Sequence, residues 1–198
     1  MSDPFQLQLG SPPHLVAIAG PNGAGKSTFY QSQLSHSGLR WVNADVIAAQ
    51  LNLDPYAAAS VADRIRRLLV RQRESFVFET VFSDPIGDKV QFLFDTAADG
   101  YDVTLCYIGL SSAEQSIERV SMRVSQGGHD VPIDKLKSRY LRTLENLGRA
   151  IQRLPRVLVF DQSDLRYPFR FLAHLESGKL IDSTEELANW LRNALPET

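Results

Sequence analysis

Short apolar runs alternate with longer amphipathic stretches along this chain. Residues 14–19 (HLVAIA), 40–43, 76–79, 102–108 and 156–160 are brief and apolar, the pattern of buried strands. Between them, apolar positions recur every three or four residues, which predicts helices over 26–35, 45–51, 56–73, 86–98, 111–124 and 132–154. Ser111-x-x-Glu114 reads as a capping box at the start of one helix, and Asp99-Gly100 as the turn that ends another. Two further runs, 169–176 and 179–182, are joined by Ser177-Gly178 and predict a hairpin, with a closing helix over 183–195. Strands separated by helices predict an α/β fold with a mainly parallel five-stranded sheet flanked by helices. The whole chain, 1–198, is expected to form one domain, with a helical lid at about 119–132 and the hairpin plus helix at about 168–196.

In such sheets ligands bind beyond the carboxyl ends of the strands, so the residues that follow each strand matter most. After the first strand comes Gly20-Pro21-Asn22-Gly23-Ala24-Gly25-Lys26-Ser27-Thr28. It fits the phosphate-binding pattern G-x-x-x-x-G-K-[ST] at every fixed position, with a strand before it and a helix after it. Its glycines let backbone N–H groups turn toward phosphate oxygens, and the helix N-terminus adds partial positive charge. Lys26 is expected to bridge the outer phosphates of ATP, and the Ser27 hydroxyl to ligate Mg²⁺. The fold is therefore expected to be that of a P-loop NTPase. No N-K-x-D guanine motif and no L-S-G-G-Q segment occurs, which sets aside switch GTPases and transport ATPases. Asp161 ends a Val-Leu-Val-Phe run like a magnesium-binding strand, but no second acid follows it, and it reads as the last core strand.

A small-molecule kinase also needs a base, a substrate pocket and cations around the transferred group. Asp45 follows the second strand and is the candidate base; capping the next helix is the alternative role for it. Asn43 precedes it. Glu79 and Thr80 end the third strand, where an acid needs a partner: substrate hydroxyls, magnesium-bound water or an arginine. Residues 119–153 hold eight cations and three acids within a chain of net charge -2. Arg119 and Arg123 share a helix face ahead of Gln126-Gly127-Gly128-His129, the pattern of a hinged lid, and with Arg139 they are the candidate phosphate contacts. Asp161 to Ser163, after the last parallel strand, are the candidate adenine side.

The rest of the composition narrows the picture. The 198 residues are 43% hydrophobic and 22% charged, which suits a packed globular core rather than disorder. Sixteen of the 21 cations are arginine, the side chain whose planar fork fits phosphate. The overall charge and the absence of aromatic residues between the basic positions argue against nucleic acid as partner. The single cysteine, Cys106, excludes a disulfide framework. The N-terminus lacks the pattern of a secretory leader and no window is apolar enough to span a membrane, so a cytoplasmic location is expected.

The series AGPNGAGKST, VNAD, FET, RVSMRVSQGGHDVP and RYLRTLENL, in this order, resembles the zeta toxin family of P-loop kinases over about residues 14–163. The resemblance implies ATP-dependent phosphorylation of the 3′-hydroxyl of a UDP-N-acetyl amino sugar. It implies ATP at Gly20, Asn22, Gly23, Ala24, Gly25, Lys26, Ser27 and Thr28, and Mg²⁺ at Ser27. It further implies Asp45 as base, Glu79 and Thr80 at the substrate, Arg119 or Arg123 on the γ-phosphate, and a possible separate antitoxin protein as partner; Asn43 and Arg139 join the candidate substrate contacts by their places after the second strand and on the cationic helix. Fewer than 15 residues precede the first strand, so no antitoxin segment is expected to be fused there. The alternatives on the residues alone are a kinase of another small metabolite or antibiotic, and a nucleotide-binding regulatory module with little catalysis.

Overall fold

In the computed structural model, which describes residues 9–125, 131–192 and 194–195, the most apolar strand lies in the middle of five parallel strands. That strand is β1 (His14–Ala19), and Leu15 to Ala19 are wholly buried. It pairs in parallel with β3 (Phe76–Thr80) on one side and β4 (Asp102–Gly109) on the other. β2 (Arg40–Val42) lies outside β3, and β5 (Arg156–Asp161) outside β4, both parallel. A strand covered on both faces has no polar side to show, hence the unbroken apolar runs.

The hairpin does not stand apart from this sheet. β6 (Arg170–Glu176) pairs antiparallel with β5, and β7 (Lys179–Ser183) with β6, giving the order β2-β3-β1-β4-β5-β6-β7. Ser177 and Gly178 turn between them with φ of 47° and 84°, the left-handed pair that a tight hairpin requires. All five residues of β7, the outer edge, are exposed.

The helices depart from the sequence expectation mainly at their ends. α1 (Lys26–Phe29) passes into a π-helical turn over Tyr30–Leu34, where one α-helix was expected to run to 35. Within that turn the Tyr30 ring stacks on Trp41 of β2 at 4.1 Å and 9°. α2 (Ala44–Leu51) and α3 (Pro55–Arg71) follow, α3 capped by the Asp54 carboxylate, which accepts from Tyr56 and Ala57 N–H. α4 (Asp88–Ala98) starts only after Gly87, whose φ is 79°. α5 (Ala113–Ser125) is capped one residue later than the expected box: the Ser112 hydroxyl accepts from Gln115 N–H, and the Gln115 side-chain oxygen accepts from Ser111 N–H. α6 (Ile133–Arg153) presents its apolar stripe to the sheet. The closing helix is much shorter than expected, α7 (Asn189–Arg192), because Thr184 N–H still donates to Leu172 of β6 and holds the chain along the strand. Cys106 is buried within β4, and burial pushes its thiol up to about 12, so it is core.

Asp63 binds α3 to its surroundings. Its carboxylate accepts from Arg66 at 2.8 Å and Arg67 at 2.9 Å, with Lys89 of α4 at 3.6 Å. The buried Arg66 guanidinium in turn lies 4.8 Å from the centre of the Phe78 ring on β3. Partial burial alone would raise the Asp63 carboxyl, but hydrogen bonds from Arg67 and Arg66 outweigh it and bring it down to about 2. The folded value is thus below the unfolded one, so the stabilisation is present above the unfolded pKa and lost as pH falls toward the folded one. Asp63→Asn is expected to lower the urea midpoint at neutral pH. The gap from wild type should close between about pH 4 and pH 2 in acid-titrated urea unfolding.

Candidate active site

The loop between β1 and α1 is shaped by backbone that side chains cannot enter. Gly20 has φ of 146°, and a Cβ there would overlap the carbonyl of Ile108 on β4. A Cβ on Gly23, at φ 77°, would lie 2.9 Å from the Cβ of Arg119, so α5 presses directly on the loop. The Ser116 hydroxyl fixes that contact by donating to the Asn22 carbonyl at 2.7 Å. Lys26 is buried, and its ammonium donates to the Pro21 carbonyl at 3.0 Å. Burial pulls its pKa below the ordinary lysine value, while the charges of Glu79 and Asp45 pull it back up and Arg123 lowers it. Ser27 and Thr28 are exposed on the open side.

The ends of β2 and β3 meet this loop through one carboxylate. Glu79 Oε2 accepts from the Ser27 hydroxyl at 2.7 Å and from the Asn43 amide at 2.7 Å. Asn43 also caps α2, its Oδ1 accepting from Asp45 N–H at 2.7 Å and Val46 N–H at 3.1 Å. Capping is therefore the work of Asn43, and Asp45 keeps an exposed carboxylate in the first turn of α2 whose charge reaches Lys26. Among the described residues no group of three or more His, Cys, Asp and Glu stands ready for a metal. The Ser27 hydroxyl and Glu79 carboxylate nonetheless fit Mg²⁺, a hard cation that takes most of its oxygens from phosphate and water.

β3 leads into a braced turn. The Thr80 hydroxyl accepts from Phe82 N–H at 3.1 Å, and Phe82 is buried at a φ of 63°. Backbone in that region costs energy and persists where neighbours hold it. Here α6 does so: Thr143 donates to the Val81 carbonyl at 2.9 Å, and Asn146 to the carbonyls of Phe82 and Asp84, each at 3.0 Å. Arg139 shares the Asn146 stripe, as does Lys135, which donates to the Tyr56 hydroxyl at 3.2 Å. The stripe thus reaches from the turn after β3, at Asn146, to the start of α3, at Lys135.

Arg119 and Arg123, the arginines expected to reach phosphate, differ in their surroundings. Arg123 is exposed, and its charge acts on Lys26. Arg119 donates to the carbonyls of Gln162 and Ser163 in the loop after β5. Burial lowers its pKa, against the pull of Asp161. Gln115 donates to the same Ser163 carbonyl at 2.7 Å. Between α5 and this loop opens a cavity of about 590 Å³, lined among others by Ser111, Gln115, Arg119, Met122 and Ser163. Asp161 does not face the phosphate loop: its carboxylate accepts from Trp190, Ser163 and Arg170. The expected hinge, Gln126 to His129, lies outside the described residues.

The phosphate loop, Asn43, Asp45 and Glu79 are thus brought together as their positions after strands imply. The bridging of Ser27 and Asn43 by Glu79 was not legible, because it depends on strand order, nor were the contacts that Gln115 and Trp190 make with the loop after β5. Gln162 falls in the segment 161–163 that its place after the last parallel strand had marked.

A family model described as Zeta toxin matches residues 52–168, more than half of the chain but beyond the phosphate loop. An uncharacterized protein of Haemophilus influenzae is 32% identical over 131 residues, 63% of this chain and 91% of that protein. Among solved structures, the AvrRxo1-ORF1:-ORF2 complex with ATP superposes with a TM-score of 0.68 at 20% identity, covering 94% of this chain and 64% of that chain. A structure of the PezAT chromosomal toxin–antitoxin system of Streptococcus pneumoniae gives 0.59 at 14% identity, covering 95% and 78%. At these identities the structural likeness is one of fold. This chain spans less than two thirds of the AvrRxo1 chain it matches.

Glu79→Gln keeps the acceptor for Ser27 and Asn43 but removes the charge. It is expected to weaken binding of ATP with Mg²⁺ about ten-fold while leaving metal-free ATP unaffected or slightly tighter, read by calorimetry with and without the metal.

Proposed function

Because the chain belongs to the zeta toxin family of P-loop kinases, we propose that it moves the γ-phosphoryl group of ATP onto a small-molecule hydroxyl, and that the acceptor is the 3′-hydroxyl of a UDP-N-acetyl amino sugar. The observation that carries this reading is the Asp45 carboxylate, left exposed by the Asn43 cap and close enough to Lys26 for their charges to interact. A phosphate loop alone serves many reactions; a free carboxylate across from it is what a kinase adds.

In the reaction, Asp45 accepts the proton of the acceptor hydroxyl as that oxygen bonds to the γ-phosphorus. The bond from that phosphorus to the β–γ bridging oxygen breaks, and ADP leaves with the electron pair. Lys26 and Arg123, whose charges interact, offset the charge on the transferred group. Ser27 and Glu79 would hold the magnesium ion, which supplies charge neutralisation at the phosphates. The turn after Thr80, braced by Thr143 and Asn146, and the stripe of Lys135 and Arg139 border the acceptor opening. The cavity between α5 and Ser163 is suited to the adenine, which puts Arg119 beside the base, while Arg123, whose charge reaches Lys26, is assigned to the γ-phosphate. A separate antitoxin protein is the expected partner, as the PezAT system is described for its own toxin.

Purified protein with ATP, Mg²⁺ and a panel of UDP-sugars is expected to add one phosphoryl group to UDP-N-acetylglucosamine by mass. Asp45→Ala should lose about 10²–10⁴-fold of that rate while binding ATP as before. Phosphorylation of a different hydroxyl compound alone would retain the kinase and replace the acceptor. ATP turnover indifferent to Asp45 would overturn the assignment of the base.

A further inference from the structure

The C-terminal helix carries a buried tryptophan whose contacts lead to the nucleotide side. Trp190 of α7 is 5% exposed. Its ring lies flat against the backbone at the end of β4, so closely that a Cβ on Gly109 would overlap it. It packs beside Tyr107 at 5.9 Å between ring centres. Apolar packing alone would not orient the ring, but its N–H does, donating to Asp161 Oδ1 at 3.1 Å.

Asp161 is a buried carboxylate at the end of β5, and a buried charge must be fully partnered to be tolerated. The same Oδ1 accepts from the Ser163 hydroxyl at 2.6 Å and from Ser163 N–H at 3.3 Å. Oδ2 faces the Arg170 guanidinium at 3.3 Å. Trp190 and Ser163 are thus held by one oxygen atom. The next links are the carbonyls of Gln162 and Ser163, which receive Arg119 and Gln115 from α5. Gln162 is fixed on two more sides: its N–H donates to the Gly109 carbonyl at 2.9 Å, and its side-chain carbonyl accepts from Phe169 N–H at 2.7 Å. The Phe169 ring and the Gln162 amide both flank Gly25 of the phosphate loop. An unbroken series of hydrogen bonds therefore runs from the last helix, through Asp161 and Ser163, to the wall of the 590 Å³ cavity.

We propose that Trp190 is a positioning residue for the base-binding half of the nucleotide site: by donating to Asp161 it sets the 161–163 loop and, through it, the side chains of Arg119 and Gln115 that border the cavity. The inference rests on the reading that this cavity takes the adenine. Trp190 touches no nucleotide itself. The phosphate loop has anchors of its own in β1, α1 and the Ser27–Glu79–Asn43 contacts, and it meets the network from α7 only by packing, at Gly23 against Arg119 and at Gly25 against Gln162 and Phe169. Loss of the indole hydrogen bond should therefore loosen the hold on the base and spare the hold on the phosphates.

That separation gives the test. Calorimetry on the full chain compares ATP with inorganic tripolyphosphate, which has the phosphates and no base, both with Mg²⁺. Trp190→Phe keeps an aromatic ring and deletes the donor. It is expected to weaken ATP about ten-fold and tripolyphosphate by less than about two-fold. Ser163→Ala, at a half-buried position, removes the hydroxyl donor to the same Asp161 oxygen and is expected to show the same selective loss at about three-fold. Equal weakening of both ligands by both variants, or no change in either, would overturn the proposal. Wild-type protein that holds tripolyphosphate as tightly as ATP would instead remove the adenine reading of the cavity on which the proposal stands.

Discussion

Three elements that are distant in sequence meet on one oxygen atom, Oε2 of Glu79. It accepts from Ser27 at the start of α1 and from Asn43 at the start of α2, and it sits at the end of the strand between theirs in the sheet. A carboxylate with two donors at 2.7 Å is a short, charge-assisted junction, stronger than a pair of neutral hydrogen bonds. It ties the phosphate loop to the helix that bears Asp45. Were the junction loose, the nucleotide side and the acceptor side could shift independently, and a misplacement of about 1 Å is enough to cost a large factor in rate.

The same economy recurs on the opposite flank. Asp161 resembles a magnesium-binding acid in sequence, yet it is consumed by Trp190, Ser163 and Arg170. Two acids at the ends of parallel strands have thus divided their work by position in the sheet. Glu79 neighbours the phosphate-loop strand β1 directly, whereas Asp161 is separated from it by β4. One is within reach of the Ser27 hydroxyl, and the other can only organise the loop that follows it.

What could be read from the sequence was whatever is local. The phosphate loop is legible because its geometry is dictated by glycines at fixed spacing, and the inner parallel strands because their burial on both faces leaves apolar runs. Helix ends were misjudged where a neighbour decides them. The π turn at Tyr30 goes with a stack on Trp41, eleven residues away, and the late start of α4 follows from Gly87. The closing helix lost most of its length to a bond between Thr184 and a strand. In the site, Asp45 was legible as a residue after a strand, but whether it would be a cap or a free carboxylate turned on Asn43, a residue equally able to cap. Arg119 and Arg123 look equivalent four residues apart on one helix, and only the loop after β5 tells them apart, because it draws Arg119 to its carbonyls.

The hairpin after β5 closes one flank of the parallel sheet and opens another. β7 is exposed at every residue, and among the described residues no strand lies beyond it. Leu180 and Ile181, both more than half exposed, would make such an edge adhesive toward other chains. Lys179 and Asp182 flank that pair. A strand from another molecule would have to strip water from a charge on either side before it could reach the apolar centre, which guards the protein against stacking edge to edge into aggregates as it accumulates in solution.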